Sequence, residues 1–198
     1  TPSELGFSGE PPSHPELLND LTARFVKSGW SIKWLHREII RSVAWKQSIP
    51  STQAQKLDPD NQLISHMNRR RLDVEAWRDA MLQVSGKLDP KLGGEPMELN
   101  SKKNNRRTLY GTIHRRELNQ MLSIHDFPDP TAHAPSRTQT ITPLQQLFSL
   151  NGPFIQWQAE ALAANLIRAE SDTNERVNIA YKKLFQRTAR KSELALAR

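Results

Sequence analysis

Asn68–Arg71 sets three guanidinium groups in a row, directly ahead of Leu72-Asp73-Val74-Glu75. A planar guanidinium grips a carboxylate or phosphate through two parallel N–H bonds, so such a run can act as an anion clamp. It can equally be a brace inside the fold. Asp58 and Asp60 lie upstream, and Asp73, Glu75 and Asp79 follow at a predicted helix start, where the helix dipole favours acids. A buried guanidinium has to be paired, and the mixture of charges favours the brace, with Arg69, Arg70, Arg71, Asp58, Glu75 and Asp79 as its members. A ligand role for one of the three arginines stays open. Arg71, Glu75, Arg78 and Asp79 are also spaced as an ordinary ion-pair ladder on one helix face.

A second cluster is "HDFPDPTAH", residues 125–133. His125, Asp126, Asp129 and His133 have donor types that suit a divalent cation. Aspartates in proline turns more often bond their own backbone, and spacing alone is weak evidence for a metal, so neither metal nor other cofactor is expected. There is no GxSxG elbow, no HExxH pair and no glycine-rich phosphate loop after a strand. "KLGGEP" at 91–96 reads as a turn. Without a single cysteine, disulfides, thiolate metal sites and thiol nucleophiles are excluded.

The 198 residues carry a net charge of +7, with 36 % hydrophobic and 25 % charged residues. That is a globular composition, and the charge permits an anionic partner without requiring one. "KKNNRR" (102–107), "HRR" (114–116) and the basic C-terminal helix could line up for nucleic acid, with Tyr110 available for stacking; no helix-turn-helix or zinc-finger pattern accompanies them, and nucleic acid is not the expected partner. No apolar run is long enough to span a membrane. Five tryptophans (Trp30, Trp34, Trp45, Trp77 and Trp157) argue for well-filled cores. A chain opening on Thr1 and closing on "SELALAR" reads as a piece of something longer.

The elements that must position these residues are helical. Residues 1–12 are an irregular lead-in. Ser13 and Glu16 fit a capping box for a first helix, Gly29 stops it, and Ser31 caps a second helix to form a hairpin. "SIPSTQAQKLDPDN", residues 48–61, reads as loop, with Asp58-Pro59 as the start of a short helix over about 59–67. The clearest pattern is about 72–85, with Val74, Trp77, Met81 and Val84 on one stripe and Gly86 as the stop. Residues 87–105 are expected to be a mobile loop. A small strand at 106–115, paired near 96–99, is the most β structure expected. Leu118, Met121 and Leu122 mark a short helix, and 123–141 an ordered proline-rich loop. Thr142, Pro143 and Gln145 form a capping box ahead of helices at about 143–151, 153–169 and 173–188.

Three blocks together carry a resemblance: "PSELGFSGEPPSHPELL" at the start, "DPDNQLISHMNRRRLDVE" in the middle and "PDPTAHAPSRTQTITPLQQLFSLN" later. The chain resembles the C-terminal domain of unknown function of large planctomycete-type secreted proteins, some of which carry a cytochrome c-like domain nearer the N-terminus. The resemblance covers nearly the whole chain and brings no established activity. It implies a secreted or periplasmic setting and a multidomain parent. Members often carry Cys where this chain has Ala134, which weakens a redox or metal role for that loop. Glu75, Asp79, Asp126 and Asp129 match the family pattern, as do the arginines beside their acids; His125 and His133 do not.

The expectation is therefore a mainly α, single-domain bundle of about six to eight helices over 1–198, with at most a small two-stranded β element. Its expected role is a non-catalytic accessory or interaction domain, docking on a sibling domain or a polymer. A second alternative is nucleic-acid binding through the basic face; the first is an enzyme or part-enzyme of hydrolase type acting on a polymer. That reading needs facing carboxylates in a polar cleft built from Arg69–Arg71, Asp126, Asp129 and Arg137, with Thr140 and Thr142 in its "RTQTIT" loop.

Overall fold

Ser31 starts the second helix as expected, its hydroxyl accepting the N–H of Trp34. Before it, Gly29 (φ 74°) and then Trp30 (φ 61°) turn the chain through the left-handed region. In the computed structural model, which describes residue 4 and residues 6–196, the chain is half helix, with nine α-helices and no strand among the described residues. It divides into two units, Thr1–Arg71 and Leu72–Arg198. Thr1–Ser3 and Leu5 of the lead-in lie outside the described residues.

In the first unit α1 spans Pro15–Lys27, α2 Ile32–Arg41 and α3 Thr52–Leu57. Arg24 of α1 pairs with Glu38 of α2 and lies over the Trp34 ring. The start of α1 corrects the expected capping box: His14 is the N-cap, no side chain caps the helix, and the Ser13 hydroxyl lies against His14 Nδ1 instead. The helix expected over 59–67 is also corrected. The stretch expected to be loop instead holds α3: Ser51 caps it through the N–H of Ala54, and Asp58 ends it. Asp58 then accepts the N–H groups of Gln62 (2.8 Å) and Leu63 (3.0 Å), and Asn61 and Ile64 take positive φ, which a right-handed helix does not admit. A short polar side chain competing for backbone N–H groups made a turn where the sequence pattern suggested a cap.

In the second unit α4 spans Val74–Val84, α5 Gln120–Ile124, α6 Pro143–Asn151, α7 Pro153–Ala169, α8 Thr173–Phe185 and α9 Lys191–Leu196. Gly86 (φ 73°) ends α4 as expected. Thr142 and Gln145 form the expected capping box at α6. The buried apolar side chains are Val74, Leu82, Leu99, Met121, Leu122 and Phe154. Leu82 and Leu122 are wholly buried, each stabilising the fold by roughly 2–3 kcal/mol. The small β element shrinks to two isolated bridges, Asp89 with Arg106 and Met97 with Gly111. Pro90 and Pro96 sit beside the bridging residues and have no N–H to extend a ladder. Tryptophan burial is likewise less than expected: Trp30 and Trp45 are 67 % and 49 % exposed.

The last helix is held by electrostatics. Both oxygens of Glu193 accept from Arg187 at 2.8 Å, and the Arg190 N–H adds a third bond. These hold the carboxyl at about 2, against 4.5 when unfolded. A depressed folded value means that the stabilisation is complete above 4.5 and is lost as pH falls towards about 2. In an NMR carboxyl titration Glu193 is expected to show a midpoint near 2, and Arg187→Gln to return it towards the ordinary carboxylate range. An ordinary midpoint in the unmodified chain would refute the pairing.

Candidate functional site

The first turns of α4 carry Asp73, Glu75 and Asp79, and each acid has a partner within the second unit. Glu75 receives a two-pronged bond from Arg137, at 2.6 and 2.7 Å. Burial pushes the Glu75 carboxyl up, but the Arg137 bonds outweigh it and hold the group below its ordinary value. Asp73 lies 3.9 Å from the same guanidinium, which also covers the Phe127 ring at 5.4 Å. Asp79 accepts the N–H of Thr108 at 2.7 Å and its hydroxyl at 2.6 Å, and pairs with Arg107 at 3.4 Å.

These residues border a hollow of about 460 Å³. Asp73, Glu75 and Asp79 line it from α4, Arg107 and Thr108 from the following segment, and Leu122 and Phe127 from the end of α5. A second hollow, about 240 Å³, lies in the proline-rich loop and includes Asp126, Asp129, Ser136 and Arg137. Arg137 thus binds an acid of the first hollow while lining the second.

The loop carboxylates have structural duties. Asp126 (φ 59°) accepts the Thr140 N–H at 2.8 Å and its hydroxyl at 2.7 Å. The buried Gln145 amide reaches Asp126 at 3.3 Å and the Ile124 carbonyl at 3.0 Å. Thr142 caps α6. Asp129 closes its own turn on the N–H and hydroxyl of Thr131, which hold its carboxyl below the ordinary value. The His125 Nδ1–H donates to the Met121 carbonyl at 2.8 Å, and the ring stacks on Trp77 at 4.8 Å. Among the described residues no group of three or more His, Asp or Glu is placed to hold a metal ion.

Arg69, Arg70 and Arg71 are all exposed. No ion pair of Arg69 or Arg70 is found among the described residues, and the acids expected to face the run have the other partners described above. Asp58 serves its own loop, where the Leu63 and Gln62 N–H groups overcome desolvation and hold its carboxyl below the usual value.

Two other arginines, Arg78 and Arg106, brace the second unit. Arg78, expected in an ion-pair ladder, is wholly buried. Its Nη2 donates to the Asn104 carbonyl at 2.6 Å, and its Nη1 to the Arg106 carbonyl at 3.0 Å and the Thr108 hydroxyl at 3.3 Å. It also lies over the Phe154 ring at 5.2 Å. Burial pulls its pKa below the ordinary arginine value, with Asp79 opposing. Arg106 donates to the carbonyls of Glu95 (2.9 Å), Lys91 (3.3 Å) and Gly93, and stacks on Tyr110 at 4.1 Å. Together with buried Leu99 and Asn104, these bonds lace down much of the 87–105 segment expected to be loose. A signal for Arg78 was present: it sits four residues from both Val74 and Leu82, on the stripe that is most buried.

The residues thus make a mainly helical domain in which buried arginines bind backbone carbonyls. The chain belongs to the family described as "Protein of unknown function (DUF1553)", whose model matches residues 1–198. No curated protein and no solved structure matches it significantly.

Proposed function

We propose that the chain is a non-catalytic accessory domain of a secreted multidomain bacterial protein, docking on a sibling domain of its parent. The observation that carries this is the leucine stripe of α6. Leu144, Leu147 and Leu150 recur every three residues and are 63 %, 53 % and 68 % exposed, while Gln145 on the same helix is buried. Ile141, just ahead of the helix, is 79 % exposed. A contiguous apolar stripe rimmed by polar residues is the usual mark of a surface meant to be covered. Little supports the hydrolase alternative. Acid catalysis needs a carboxyl with a raised pKa, whereas Glu75 and Asp129, beside the two hollows, are both held below their ordinary values.

Hydroxyl-radical footprinting of the isolated chain against its full-length parent tests the reading. Leu144, Leu147 and Leu150 are expected to be severalfold less oxidised in the parent. Equal oxidation in both would overturn it.

A further inference from the structure

The first unit carries an exposed apolar surface of a different character. Between Trp30 and Ile49, seven large apolar residues are at least 41 % exposed: Trp30, Ile32, Ile39, Ile40, Val43, Trp45 and Ile49. On α2, Ile32, Ile39 and Ile40 fall within a quarter or so of the helix circumference at 100° per residue, and exposed Val43 follows just past the helix end. Lys33, Arg37 and Arg41 follow at i, i+4 and i+8 along one flank of that arc, all exposed. With His36 and Ile40 they border a shallow hollow of about 350 Å³. Lys46, in the turn after the helix, is also exposed. The one acid on α2, Glu38, is neutralised by Arg24.

We propose that this face of α2 docks on an anionic lipid surface, lying in the headgroup plane without crossing the bilayer. No helix among the described residues is long and apolar enough to cross one. The arc supplies aliphatic side chains to enter the acyl boundary, and the flanking cations meet anionic headgroups there. Exposed Trp30 and Trp45 flank α2 in the chain, one before it and one after it. Indole rings favour the boundary between headgroups and hydrocarbon, a preference that a soluble acidic protein would not exploit. Charge complementarity and apolar burial both point the same way, so neither suffices by itself.

Vesicle flotation of the 198-residue chain tests this. Vesicles of phosphatidylcholine with about one third phosphatidylglycerol are expected to carry the protein up, and pure phosphatidylcholine vesicles to leave it behind. Binding should blue-shift tryptophan fluorescence and weaken with salt. Ile40→Gln with Val43→Gln, at exposed positions, should abolish flotation while the far-ultraviolet circular dichroism stays unchanged. Arg37→Gln with Arg41→Gln should weaken it about tenfold or more. No flotation on the anionic vesicles overturns the proposal, as does equal flotation on neutral ones. Retained flotation of the Ile40→Gln/Val43→Gln protein also overturns it, because charge alone would then carry the binding.

Discussion

Replacing Arg78 by Met is expected to destabilise the protein by about 3 kcal/mol. The side chain is wholly buried, and its guanidinium donates to two backbone carbonyls and a hydroxyl. Two effects oppose one another. Methionine fills similar space and relieves the cost of holding a cation out of water, a cost that is modest for the weakly hydrated guanidinium. Against this, the Asn104 and Arg106 carbonyls lose this donor inside the fold, at about 1–3 kcal/mol each. Thr108 is less affected, because its hydroxyl still donates to Asp79. The loss of donors wins. Urea unfolding should show a lower midpoint with an unchanged slope, and amide exchange should rise first in residues 104–111. Arg78→Lys should fall between the two, since one ammonium cannot reproduce the planar fork. A Met variant as stable as the original would mean that the carbonyls are satisfied in another way.

Asp126→Ala is expected to cost about 2–4 kcal/mol. It removes the acceptor for the N–H and hydroxyl of Thr140 and for the Gln145 amide. It also leaves alanine at φ 59°, a conformation that costs an ordinary L-residue about 1–2 kcal/mol. Asp126→Gly separates the two contributions, because glycine adopts that conformation freely but keeps no acceptor. Asp126→Asn keeps the turn and loses the charge, so it should fall short of the alanine effect. Thermal unfolding of the three variants measures all of this. Equal stability of the Ala and Gly variants would show that the backbone conformation contributes nothing, and full stability of both would refute the structural role of the carboxylate.

Local chemistry made much of the fold legible. Ser31, Thr142 with Gln145, Pro143, Pro153 and Gly86 each act through their own backbone geometry within a few residues, so their positions in the sequence nearly fix where α2, α6, α7 and the end of α4 fall. The same local reasoning misplaced Asp58. Its carboxylate had a choice between capping a following helix and closing a turn on Gln62 and Leu63, and both are short-range options.

Partners distant in sequence were decided only by the tertiary structure. Arg137 meets Glu75 across 62 positions, Asp79 meets Thr108 across 29 and Arg78 meets Arg106 across 28. A charge reveals its sign in a sequence but not which opposite charge or carbonyl the fold brings within 3 Å. For that reason the conspicuous run Arg69–Arg71 stands exposed, while the lone Arg78, unremarkable among its neighbours, became the buried brace. The sequence by itself determined a helical, cysteine-free, basic chain of a recognisable family, with the caps at Ser31 and Thr142 in place. Burial, which sums contacts from segments far apart in the chain, decided which arginines and acids hold the fold and which apolar faces remain open to a partner.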